Sequence, residues 1–258
     1  MLLNKLGLYL RAAAARKNLN VRGLPFIPKA LWPAAPFHRA GFNQFVLWLD
    51  RLQLSRVGQV MDVGANRGDF SQAASALFPS AQVLLVEPLP TLHPELERRC
   101  RDHGGRWRLV PCALGSERGE ATLHVDPHQE GTSSLVGFGK DYLKANPNAR
   151  AGQSFTCPVR TLDDLCAEQG IKAIDLLKID VEGFEFETLK GAAAMLRATH
   201  ALVLELSLVR RGDGGDGLQA MLAVLRDAGL QLVELYPSLY SQETPWLPVE
   251  FNVLARRA

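Results

Sequence analysis

The stretch Val60-Met61-Asp62-Val63-Gly64-Ala65-Asn66-Arg67-Gly68-Asp69-Phe70 reads as a strand, a glycine turn and the start of a helix. Gly64 lets the backbone turn sharply and approach a ligand with no Cβ in the way, and Gly68 allows the same closeness where the helix begins. Asp62, at the strand end, is placed to accept hydrogen bonds from an ammonium group. A dinucleotide-binding turn would carry G-x-G-x-x-G here. The sequence has Gly64-Ala65-Asn66-Arg67-Gly68 instead, and the Lys-Ser/Thr pair of a phosphate loop is also missing. An acid before the turn repels a pyrophosphate but suits a cationic amino-acid ligand. Further along, Glu87 closes the run Leu-Leu-Val-Glu-Pro, where a carboxylate can accept both hydroxyls of a ribose. Asp62, the turn through Asn66, and Glu87 together outline a pocket for S-adenosylmethionine.

Outward from this motif, short apolar runs alternate with helical spacing. The spacing predicts strands at Gln59–Val63, Gln82–Glu87, Trp107–Val110, Ile174–Asp180, Ala201–Leu206, Leu230–Leu235 and Phe251–Ala255. It predicts helices at Asp69–Leu77, Thr91–His103, Phe184–Leu196 and Gly217–Ala228. Alternation of this kind implies an α/β fold, a parallel sheet with crossover helices, because parallel neighbours cannot be joined by a tight turn. After the third strand, Val110-Pro111-Cys112-Ala113-Leu114-Gly115 supplies small side chains, Cys112 and Ala113, that leave room beside an adenine ring. Glu120–Val125 and Ser154–Arg160 read as two more strands. The segment between them, 126–153, is rich in Gly, Asn, Pro and Ser, and a loop this long is expected to serve the substrate side of the site.

A second motif, Asp175-Leu176-Leu177-Lys178-Ile179-Asp180-Val181-Glu182-Gly183-Phe184-Glu185, puts Asp180 and Glu182 at the mouth of the fourth strand of the alternating series. Ligands of open α/β sheets lie outside the carboxyl ends of the strands, beside the reversal in strand order. Lys178 sits inside an apolar strand, so it needs a carboxylate partner, for which Asp180 or Glu205 on the next strand is in reach.

With these residues in hand, the chain resembles the FkbM-type family of S-adenosylmethionine-dependent methyltransferases. The likeness runs through Asp-Val-Gly-Ala-Asn-Arg-Gly from Asp62, Val-Glu-Pro from Val86, Ala-Leu-Gly from Ala113, Gly-Thr-Ser-Ser-Leu from Gly131 and Arg-Thr-Leu-Asp-Asp-Leu from Arg160. It is strongest in Leu-Lys-Ile-Asp-Val-Glu-Gly from Leu177, then in Leu-Lys-Gly-Ala from Leu189 and Leu-Glu-Leu from Leu204. The resemblance implies a Rossmann-like class I methyltransferase sheet of seven strands, helices on both faces, and an antiparallel last strand near Phe251. It also implies O-methylation of a hydroxyl on a sugar, glycan or secondary metabolite.

The remaining composition narrows the setting. The 258 residues are 47% hydrophobic and 22% charged, which excludes collagen, disulfide scaffolds and wholesale disorder. Residues 1–58 carry nine Lys or Arg against one acid, a net +8; the remainder holds twenty bases against twenty-six acids, a net −6. The expected division is a basic, helical and Pro-rich extension over 1–58, then the methyltransferase domain over 59–258. The extension is expected to pack on its own body or on a second subunit, giving a possible homodimer, with weak peripheral membrane association as the lesser alternative. No stretch is long and apolar enough for a membrane span, and Met1–Arg11 is too short and charged for a secretory leader. Cys100, Cys112, Cys157 and Cys166 read as reduced thiols of a cytoplasmic protein.

For the chemistry, Asp180 and Glu182 are the expected general bases, with His128 in the insertion a weaker one; Ser133 and Ser134 serve either as acceptor contacts or as turn residues. Asp180 and Glu205 form a possible Mg2+ site, since oxygen ligands suit that ion. Two other readings stand beside the small-molecule or glycan acceptor: methylation of a protein or nucleic acid, and a non-catalytic module that binds S-adenosylmethionine. No nucleic-acid-binding module is recognisable, so no nucleic-acid partner is expected.

Overall fold

The computed structural model describes residues 45–46, 48–126, 133–137, 152–207, 218–240 and 248–257. The basic arm before residue 45, His128 and most of the 126–153 insertion lie outside these residues. In chain order the strands are β1 (Gln59–Val63), β2 (Gln82–Val86), β3 (Trp107–Val110), β4 (Ala113–Leu114), β5 (Gly119–His124), β6 (Ser154–Arg160), β7 (Ile174–Ile179), β8 (Thr199–Ser207), β9 (Gln231–Tyr240) and β10 (Pro248–Arg256). The helices are α1 (Asp69–Leu77), α2 (His93–Asp102), α3 (Leu162–Glu168), α4 (Glu185–Lys190), α5 (Ala193–Arg197) and α6 (Leu218–Asp227).

Seven strands form one sheet in the order β3-β2-β1-β7-β8-β10-β9. β10 runs antiparallel to both neighbours, while β3, β2, β1, β7 and β8 pair in parallel. This is the class I methyltransferase order, reversed strand included. A smaller sheet, β4-β6-β5, stands beside it. The chain builds outward from β1 to β3 and then returns to place β7 on the other flank of β1. The strand order therefore reverses at the β1–β7 boundary, where such sheets open a crevice at their carboxyl edge.

Successive strand residues point to opposite faces, and each face has its own apolar layer. Val60, Val83, Leu85, Leu176 and Val203 pack with Phe70, Ala73 and Ala74 of α1. Met61, Val63, Leu84, Leu177, Ile179 and Leu204 pack with Leu162 and Leu165 of α3, Leu196 of α5 and Leu225 of α6. Helices thus cover both faces. The first layer also takes in Val46, Trp48, Leu49, Leu52, Leu54 and Val57. Residues 45–46 and 48–51 are helical, and Arg256 Nη1 donates to the Leu52 carbonyl at 3.1 Å. The packed body therefore begins ahead of the boundary expected at residue 58.

Two helical departures from the expected pattern bear on the site. The single helix expected over Phe184–Leu196 is broken into α4 and α5 at Gly191. A Cβ on Gly191 would lie 2.0 Å from the Gly115 carbonyl oxygen, so this point is pressed against the strand region behind it. The Asp163 carboxylate accepts the amides of Ala194 and Met195 at 2.9 and 2.8 Å and starts the second helix there. Helix α3, absent from the expected elements, is capped by Thr161, whose hydroxyl accepts the Asp164 amide at 3.0 Å. Gly191→Ala should lower unfolding free energy by about 1–3 kcal/mol through overpacking, read as a lower urea midpoint at constant slope. An unchanged midpoint would mean that the Gly191–Gly115 approach is not what breaks the helix.

Candidate functional site

Register decides which side chains meet. Asp62 of β1 pairs with Leu85 of β2 and with Lys178 of β7, and Lys178 pairs with Val203 of β8. Registered residues of parallel strands share a face, and so do residues two positions further along. The next row on that face is Glu87, Gly64, Asp180 and Glu205, lying across the carboxyl edge at the crevice. Two motifs far apart in the chain thus supply adjoining positions of one row.

Gly64 takes φ +71°, and a Cβ there would lie 1.8 Å from the Asp180 carbonyl oxygen. The glycine is required by the approach of β7, rather than by the approach of a ligand. Both Gly64 backbone groups are also committed: its amide donates to Val86 and its carbonyl accepts from Lys178 Nζ at 2.7 Å. Gly68 likewise differs from expectation. Its missing side chain makes room for Leu96 and Leu85, at 3.3 and 3.4 Å from a would-be Cβ, so it serves the core at the start of α1.

Lys178 is 6% exposed and Asp62 fully buried. The ammonium lies 3.2 Å from Asp180 Oδ2 and 3.5 Å from Asp62 Oδ1. It reaches Asp180, as expected, and not Glu205. Burial acts to lower the Lys178 pKa, but Asp180 and Asp62 outweigh it and hold the ammonium above its ordinary value. Burial pushes the Asp62 carboxyl up, against the pull of Lys178 and Ser71. Asp62 Oδ2 accepts both the amide and the hydroxyl of Ser71, at 3.2 and 2.6 Å. The expected direct contact between Asp62 and a ligand ammonium is therefore corrected: Asp62 lies beneath the site, joining α1 to Lys178.

The turn after β7 is held from two sides. Glu185, which sequence reasoning passed over, is buried, and its carboxylate accepts the amides of Val181 and Gly183 at 3.0 Å. Its position at the start of α4, where free amides need acceptors, was the available signal. Glu182 adopts φ +57°, a left-handed conformation uncommon for a residue with a side chain. The Ser134 hydroxyl donates to the Glu182 carbonyl at 2.6 Å and accepts from the Val136 amide. Ser134 is fully buried and braces this turn, the second of its two expected roles; Ser133 beside it is half-buried. Asp180, Glu182 and Glu205 each offer a carboxylate oxygen, all within 4.8 Å of one another. Burial, with Asp180, Glu250 and Glu185 nearby, holds the Glu205 carboxyl well above its ordinary pKa.

On the other flank, Glu87 Oε2 accepts the Asn66 amide at 2.7 Å and Oε1 the Leu89 amide at 2.9 Å. Burial pushes its carboxyl up to about 7, against those two amides and Lys178. Asn66 is half-buried, in a left-handed turn at φ +49°. Cys112 and Ala113 are buried in the body. Little of either side chain is open to an adenine ring; the more open residues of that turn are Val110 and Pro111.

These values fix two pH effects of opposite sign. On the expectation that Glu87 holds the ribose, its ionised form is the one able to accept both hydroxyls, so affinity for S-adenosylmethionine should rise about tenfold between pH 6 and pH 8. In the free protein, Glu87 and Glu185 keep a proton up to about 7 that the unfolded chain releases near 4.5, so stability should fall as pH rises across that window. Calorimetric titration of wild type and Glu87→Gln checks the first effect; a slope that persists in the variant would remove Glu87 from the cofactor pocket.

The family model described as Methyltransferase FkbM domain matches residues 62–232. The 2-O-methyltransferase NoeI of Sinorhizobium fredii is 28% identical over 186 residues, which cover 69% of this chain and 74% of NoeI. The 31-O-demethyl-FK506 methyltransferase FkbM of Streptomyces tacrolimicus is 31% identical over 180 residues, covering 59% of this chain and 69% of that protein. Among solved structures, an S-adenosylmethionine-dependent methyltransferase from Clostridium acetobutylicum is similar with a TM-score of 0.47 and 8% identity, over 84% of this chain and 92% of that one. The family match begins at Asp62 and spans both motifs that meet at the crevice, and the chain belongs to the FkbM methyltransferase domain family.

Proposed function

We propose that this protein transfers the methyl group of S-adenosylmethionine to a hydroxyl of a sugar, glycan or secondary metabolite, with Asp180 as the proton acceptor. The observation that carries this reading is the position of Asp180. It lies in the crevice row beside Gly64, its carboxylate is 30% exposed, and one oxygen is tethered to Lys178. The acceptor oxygen attacks the sulfonium methyl, the carbon–sulfur bond breaks toward sulfur, and the hydroxyl proton passes to Asp180. A cation and an anion are both neutralised, which favours the transfer in a poorly solvated site. Because the sulfonium is already an activated leaving group, alignment and proton removal are the protein's main tasks. Support for oxygen as the acceptor comes from the relatives, two of which are named for methylation at oxygen.

Glu87 and the Asn66 turn are the residues read as holding the ribose and the flank of the cofactor. Glu182 faces the same mouth as Asp180 and stands as the second base candidate. Asp180, Glu182 and Glu205 are also the residues that would hold a Mg2+ ion, which would acidify an acceptor hydroxyl; a proton on Glu205 relieves the same repulsion. The tie from Ser134 to the Glu182 turn supports reading 126–153 as a substrate-side element. All four cysteines are free thiols, in keeping with a cytoplasmic setting. No helix among the described residues is long and apolar enough to cross a membrane.

Methyl-tritiated S-adenosylmethionine, incubated with the protein and a whole-cell extract, should label the small-molecule or glycan fraction. Label confined to protein or RNA would replace the acceptor class, and no transfer at all would leave a binding module. Asp180→Asn should keep cofactor affinity and slow transfer about 100- to 10,000-fold, the usual worth of a positioned base; a normal rate would remove Asp180 from the chemistry. Dialysis against EDTA should abolish transfer only if the carboxylate trio holds Mg2+, with added Mg2+ restoring it.

A further inference from the structure

Lys178 is a buried cation with three oxygens around it from the ends of β1 and β7: it donates to the Gly64 carbonyl at 2.7 Å and pairs with Asp180 Oδ2 at 3.2 Å and, more loosely, with Asp62 Oδ1 at 3.5 Å. Its place follows from register. Being the Cα partner of Asp62, it lies one row below Gly64 and Asp180 and reaches both from beneath. Gly64 is the pivot of the turn read as holding the cofactor, and Asp180 is the residue read as taking the acceptor's proton. No hydrogen bond fixes the other Asp180 oxygen to the described residues, so it is the one left to face an acceptor.

We propose that Lys178 is a positioning residue for methyl transfer, a clamp whose ammonium ties the Gly64 turn to Asp180 and so sets the spacing and aim of cofactor and base. The proposal rests on the reading of Asp180 as base. Lys178 takes no part in the proton transfer. With its charge gone, the Asp180 carboxylate loses its tether and rotates, while Gly64 keeps its packing against the Asp180 carbonyl. The cofactor should still bind, and the rate should fall. Transfer needs near-attack geometry, which small misplacements of the reacting groups spoil steeply. A residue that merely stabilises the fold would instead lower the fraction of active protein and leave the rate per folded molecule unchanged.

The test compares the full-length wild type with Lys178→Met, Asp180→Asn, the two combined, and Asp62→Asn/Lys178→Met. The last variant removes both buried charges together, so that Asp62 is not left as an unpaired buried charge, and the freed Asp180 is partly exposed to solvent. Calorimetry measures the affinity for S-adenosylmethionine. Tritiated-methyl transfer at saturating cofactor, into the extract fraction labelled by wild type, measures the rate per folded protein. The expected result is affinity within about tenfold of wild type and a rate at least about 50-fold lower, both in Lys178→Met and in the charge-free pair. Lys178→Met/Asp180→Asn should be no slower than Asp180→Asn alone, since the lysine acts through that carboxylate. The proposal is overturned by a rate within about threefold of wild type in the charge-free pair, or by losses from Lys178 and Asp180 that multiply. A full rate in Asp180→Asn alone is a different failure: it overturns the base assignment first, and the clamp with it.

Discussion

Where β1 ends and β7 ends, two backbones touch. The Cα of Gly64 faces the carbonyl of Asp180 so closely that a single added carbon would lie 1.8 Å from the oxygen. This approach brings the glycine turn and the carboxylate turn into one crevice, although Gly64 and Lys178 are separated by 114 residues. The parallel register of β1 with β7 supplies the alignment, and the reversal of strand order leaves the carboxyl edge open at that point. Glu87, one strand to the side, and Glu205, one strand to the other, inherit their positions from the same register.

The charge distribution follows a consistent logic. The crevice collects Glu87, Asp180, Glu182 and Glu205, with Asp62 below, and among the described residues Lys178 is the buried cation set against them. Such a site attracts a sulfonium nucleoside and repels anionic competitors. On the proposed reaction, the cofactor leaves as a neutral thioether, so the attraction that drew it in is withdrawn once the methyl group has moved. Exchange of spent for fresh cofactor then needs no separate device. Burial raises the pKa of Glu87, Glu185 and Glu205, so the negative character of the cleft is strongest on the alkaline side of neutrality.

Much of this was legible before any coordinates. The bounds of β1, α1, β3 and β6 fall where apolar periodicity and turn residues place them, because each is a short run closed by charged or glycine-rich punctuation. Asp180 was read with Glu182 as a base and with Glu205 as a metal pair, and the three carboxylates converge on one point. What failed depends on partners remote in the chain. The α4–α5 break is imposed by Gly115, and no local residue announces it as strongly as the helical spacing conceals it. Asp62 reads as a ligand contact, yet it is fully buried, with Ser71 bonded to one oxygen and the Lys178 ammonium 3.5 Å from the other. Gly64 and Gly68 were read correctly as points of close approach, but what approaches is the protein itself. Glu185 stood in plain sight in the second motif; its role emerges only once the turn it caps has a shape.

The pairing of β1 with β7 also bears on how the chain is made. During synthesis, β1 can pair with β2, and β3 can join β2 on its far side, but the other edge of β1 stays bare until the ribosome has released more than a hundred further residues. A nascent chain in that interval exposes an apolar strand edge, which invites strand addition from other chains. Non-local parallel pairing of this kind is also slow to form. Fragments cut within the 126–153 insertion would each carry one of the two motifs and one half of the crevice, and a working enzyme would depend on their reunion along a single pair of strands.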